Sequence, residues 1–159
     1  MDGNTTTLVT KMRLEPISKD SKTIVDNLRD YITGGLTKQS MKTRSGWRYE
    51  GDEFLTSVES LRQSMQKELE PEGFKVVGCT VRHFSRGANI QNPNYPTKRL
   101  LIIPINGTST LSPGPSIPSP GTQLPPDTSC YIEDTPTPPV LSGEEIDVIF
   151  VMFEAEQGR

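Results

Sequence analysis

Ile146 to Phe153 reads IDVIFVMF, and seven of its eight positions are apolar. In an extended chain Ile146, Val148, Phe150 and Met152 share one face, and Ile149, Val151 and Phe153 share the other. Val, Ile and Phe favour the pleated backbone. A strand that is apolar on both faces needs cover on both. This stretch is therefore expected as the central strand of a sheet.

Earlier segments supply its neighbours and its cover. Thr6 to Leu14 alternates, with Leu8, Thr10, Met12 and Leu14 on one side, and predicts a half-buried first strand ended by Pro16. Ile24, Val25, Leu28 and Ile32 recur at helical spacing, which predicts a helix over 21–33 stopped by Gly34 and Gly35. A second helix starts at Asp52 as its N-cap. It carries Phe54, Leu55, Val58, Leu61, Met65 and Leu69 as one stripe and closes at Pro71 and Gly73. Between the helices, residues 36–50 are polar and basic, with a short strand at Trp47 and Tyr49. Phe74 to Phe84 and Arg99 to Ile105 read as strands. Gly78 marks a bulge in the first, and Pro104, lacking an amide donor, puts the second at an edge or beside a bulge. The connection 85–98, with Gly87, Pro93 and Pro96, is too long for a tight hairpin.

Residues 106–143 break the pattern. They hold nine prolines, all between Pro113 and Pro139, among many Ser, Thr and Gly. They read as a long loop or arm with one short strand at Cys130 to Ile132. The order of elements predicts an α+β fold. It comprises a mainly antiparallel sheet of about four to five strands, two helices on one face, and a long Pro-rich loop before the central C-terminal strand. At 159 residues the chain reads as a single domain over 1–159. The second face of the central strand is left to the Pro-rich segment or to a second copy of the chain.

Composition adds little to this picture, and the distribution of charge adds more. No apolar run reaches the roughly 20 residues of a membrane span. The N-terminal residues show no signal-peptide pattern, and Asp2 stands where N-myristoylation needs Gly. An intracellular location is expected, cytoplasmic or nuclear, or a place in a virion. Cys79 and Cys130 read as reduced, small hydrophobes, and the sequons at Asn4 and Asn106 as turn residues. The net charge is only -3, yet residues 36–49 and 74–126 carry Lys and Arg without acids, and 127–159 carry eight acids against Arg159. Blocks of this kind either pair within the fold or form a two-signed surface for self-association.

Candidate chemistry is sparse. His83 is the only histidine, with no nucleophile signature beside it, and reads as structural or surface. Two distant cysteines and one histidine give no zinc spacing, and no EF-hand loop is present. Gly34 and Gly35 follow a helix instead of opening one, so they form no phosphate loop. Glu144, Glu145 and Asp147 read as a solvated strand start. No catalytic residue, metal or cofactor is expected.

The patterns point to binding. The first expectation is a non-enzymatic, self-associating structural or assembly protein, a virion matrix-like or scaffold component. Its partner is another copy of itself, or another protein that takes the Pro-rich arm. Pro113, Pro115, Pro118, Pro120, Pro136, Pro138 and Pro139 are the arm's candidate contacts, since P-x-x-P spacing suits a polyproline helix. The alternative is a nucleic-acid-binding regulator. There Lys38, Lys42, Arg44, Trp47 and Arg48 interleave cations with an aromatic, and Arg82, Arg86, Lys98 and Arg99 extend the surface from the sheet.

Overall fold

The computed structural model describes residues 11–90, 97–112, 121–134 and 139–156. Its fold is α+β, with two helices and two antiparallel sheets. The first strand, β1 (Lys11–Pro16), runs through Pro16, and the predicted residues 6–10 lie outside the described part. Helix α1 (Lys19–Thr33) begins earlier than its apolar spacing predicts, because Ser18 caps it by accepting from the Ser21 amide at 3.1 Å. Strands β2 (Lys38–Thr43) and β3 (Gly46–Glu50) form a hairpin where only a short strand was expected. Helix α2 (Asp52–Leu69) has Gly51, not Asp52, at its N-cap, and after a 3-10 turn at Glu70–Glu72 the chain turns at Gly73 with φ 84°.

Strand β4 (Phe74–Phe84) leads through the short β5 (Gly87–Asn89) to β6 (Lys98–Asn106) and β7 (Ser109–Ser112). There follow β8 (Thr122–Leu124), β9 (Thr128–Asp134), β10 (Val140–Ser142) and β11 (Ile146–Ala155). Seven strands make the main sheet in the order β1-β9-β6-β11-β4-β3-β2, and the second sheet runs β5-β10-β7-β8. There are thus more strands than the four to five expected. The extra ones come mostly from 106–143, whose described residues form β7, β8, β9 and β10 instead of one loop. Each of β7, β8 and β10 is three or four residues long, too short to show a period of two.

Strand β11 lies in the middle of the main sheet, between β4 and β6, as its sequence predicts. Pro104 sits in the interior strand β6, where the register with β11 shifts between Asp147 and Val148, so the bulge and not the edge accommodates it. The shift in β4 falls opposite Met152 and Phe153, next to Gly78. Both faces of β11 are covered, fully on the helix side as far as Phe153 and with Phe150 and Met152 left half-buried on the other. Ile149, Val151 and Phe153 pack with Leu28, Phe54, Leu61 and Met65 from the helices. Ile146 and Val148 pack with Leu111, Leu124 and Leu141 from the second sheet. The cover predicted for the second face is therefore this chain's own sheet. Cys79 faces the helices and Cys130 the second sheet.

Candidate functional site

Alternation along β4 sends its side chains to two different places. Val81 enters the helix-side core with His83 beside it, while Thr80, Arg82 and Phe84 face the second sheet. There they line a cleft of about 420 Å³. Ala88, Asn89 and Ile90 close one side of it, and Leu100, Phe150 and Met152 form the floor from β6 and β11. The short strand β5 reaches this position because Gly87, at φ 157°, lies against β10. A Cβ there would stand 2.4 Å from the Leu141 carbonyl oxygen. Phe84 and Phe150 meet edge to face at 6.0 Å. The Arg82 guanidinium carbon lies 5.7 Å from the Phe84 ring centre. Its Nε is buried and has no hydrogen-bond partner among the described residues. An unmade bond at a buried charged donor costs on the order of 1–3 kcal/mol or more, so an orphan donor at a cavity calls for an explanation.

The opposite face of β4 carries a polar cluster that sequence patterns do not reveal. His83 Nδ1 meets Asp147 Oδ1 at 2.8 Å and His83 Nε2 meets Glu145 Oε1 at 2.8 Å. Tyr49 donates its hydroxyl to Asp147 Oδ1 at 2.6 Å, and Asn106 donates to Asp147 Oδ2 at 3.0 Å. Trp47 stacks on His83 with ring centres 4.1 Å apart. Burial, then the bond to Asp147, pushes the Tyr49 phenol well above its ordinary range, so it remains a donor. The solvated strand start is corrected for Asp147, which is only 5% exposed, while the Glu145 side chain stays largely in solvent. The available signal was Asp147 itself, an acid inside an apolar strand. What was missing was the register that sets it opposite His83.

Of the cationic residues singled out in the sequence, Arg48 and Arg82 stand opposite each other on β3 and β4, and the others are spread apart. Lys38 and Lys42 lie on β2 at the sheet edge, Arg44 in the turn after it, and Trp47 and Arg48 on β3. Lys42 lies 5.6 Å from the Trp47 ring centre, and Arg48 pairs with Glu50 at 2.7 Å. Arg82 faces the cleft, and Arg86 sits in the turn before β5, where its carbonyl accepts from Gly143. Lys98 and Arg99 open β6, level with the Phe74 end of β4 and about eight residues from the Trp47 level, roughly 25 Å away. Lys98 pairs with Glu154, and Arg99 lies 5.7 Å from the Phe74 ring centre. Of the arm candidates, Pro139 is described: it is buried and its carbonyl accepts from Ile90. Pro113, Pro115, Pro118, Pro120, Pro136 and Pro138 lie outside the described residues. Among the described residues no group of three or more His, Cys, Asp or Glu is placed to hold a metal ion, and no helix is long and apolar enough to cross a membrane.

No protein-family model matches the chain, and no curated sequence does. Two of the solved structures similar to it are prolyl hydroxylases. One is a Pseudomonas putida prolyl-4-hydroxylase, at TM-score 0.47 and 7% identity, with 92% of each chain covered. The other is a prolyl hydroxylase in complex with a hypoxia inducible factor oxygen degradation domain peptide fragment from Trichoplax adhaerens. It has TM-score 0.44 and 13% identity, over 91% of this chain and 83% of that one.

The expectation of a non-enzymatic assembly protein, with a nucleic-acid regulator as the alternative, is corrected, and the two neighbours carry the names of hydroxylases. At such scores the likeness is one of outline, and no activity is carried across from it. The observations behind the assembly expectation also change. The second dry face of β11 is covered from within the chain. One pair joins a basic block to the acidic one within the chain, Lys98 with Glu154, and Arg29 outside the blocks also pairs with Asp127.

Proposed function

We propose that this chain is a small-molecule-binding domain whose ligand enters the cleft between the two sheets. The observation that carries the reading is the cleft itself: about 420 Å³, walled mainly by apolar side chains. Ligand sites commonly have volumes of roughly 300–1,000 Å³, with mostly apolar walls and a few placed polar groups. Here Thr80, Asn89 and Arg82 are those groups. The histidine cluster on the other face serves the architecture: it ties β3, β4, the end of β6 and the start of β11 around one carboxylate.

The test is a fragment screen read by backbone-amide NMR shifts. Ligands are expected to move the amides of 80–84, 88–90 and 150–152 together. Shifts that gather elsewhere, or none at all, would sink the reading.

A further inference from the structure

We infer that the ligand of this cleft is a small monocarboxylate with an apolar body, held by its carboxylate on Arg82. This rests on the cleft being the ligand site. Among the described residues Arg82 is the one charged residue on the lining, and no described acid stands there with it. Its Nε is buried, and no described carboxylate is paired with it. The cleft therefore presents the positive charge of the half-buried Arg82 in largely apolar surroundings. A complementary ligand brings one negative charge on a group that the planar guanidinium fork can grip with two parallel bonds, which a carboxylate does.

A phosphate monoester fits less well. It brings close to two charges, and the lining offers one cation to meet them, leaving the remainder desolvated without a partner. The rest of the ligand is apolar because Phe84, Phe150, Leu100 and Ile90 surround the charged end. The edge-to-face pair of Phe84 and Phe150 offers ring surface to an aromatic or short aliphatic body.

The experiment titrates the full chain with phenylacetate, phenylacetamide and phenyl phosphate, following the cleft amides by NMR. Phenylacetate is expected to bind saturably, and phenylacetamide about tenfold more weakly, because the amide lacks the charge. Arg82→Met is expected to lower phenylacetate affinity about tenfold or more and leave phenylacetamide unchanged, with Arg82→Lys between them. Equal binding of acid and amide, or an Arg82→Met variant that still binds phenylacetate normally, would overturn the carboxylate assignment. So would tighter binding of phenyl phosphate.

Failure of the cleft itself reads differently. Ala88→Trp fills the cavity and is expected to abolish binding of all three probes, and Met152→Trp replaces it if the first variant does not fold. Unchanged phenylacetate binding in a folded, filled variant, or no cleft shift with any probe, removes the cleft as the site altogether.

Discussion

Three donors converge on the Asp147 carboxylate, from Tyr49, His83 and Asn106. Removing one side of a buried charged network leaves the rest unpaired, and Asp147→Ala is expected to cost roughly 3–5 kcal/mol in denaturant unfolding. Tyr49→Phe removes a single bond to a charge, so a loss of about 1.5–3 kcal/mol is expected. A variant within 0.5 kcal/mol of the parent, on the order of a neutral surface change, would show that the cluster is not the clamp described. The two thiols give a pH test. Burial pushes Cys79 and Cys130 each up to about 12 from an ordinary 9.0. The unfolded chain therefore releases these protons first as pH rises. Folded stability is kept below about pH 9 and is lost progressively toward about pH 12. Both thiols are expected to react slowly with a disulfide reagent at pH 8 in the folded protein and quickly in denaturant. Rapid labelling of the folded chain would contradict this.

At the scale of elements, close approaches decide which residues fit. Gly46 takes φ 148°, and a Cβ there would lie 1.8 Å from the carbonyl oxygen of His83. Gly46→Ala is expected to push β3 off β4 and detach Trp47 from His83, visible as a shift in Trp fluorescence together with lost stability. Unchanged emission would argue against that contact. Helix α1 is capped by Ser18, whose hydroxyl also donates to Glu68 at 2.8 Å and so joins the start of α1 to α2. Much of this level was legible beforehand. The stripe of α2 and the alternation of β4 are local patterns, set by spacing along one segment. The partner of the Ser18 cap, Glu68, lies fifty positions away, beyond the reach of a local pattern.

For the whole molecule, β11 belongs to two cores at once, one under the helices and one under the second sheet. Leu61→Ala on the helix side and Leu141→Ala in the second sheet remove side chains that are both fully buried. Each is expected to cost about 2–5 kcal/mol. Because the strand is shared, unfolding should remain a single transition in both variants when followed by far-UV CD and by Trp fluorescence. Two separated transitions would mean that the second sheet unfolds independently.

The sequence by itself determined the central strand, its apolar residues on both faces, both helices and the α+β class, because each rests on periodicity within one segment. Only the tertiary structure decided what covers the second face, that Arg82 faces a cleft, and that Asp147 stands opposite His83. These depend on register between strands far apart in the chain. Short pieces among prolines carry too few alternating positions to announce that pairing, and a cavity exists only where packed elements fail to meet.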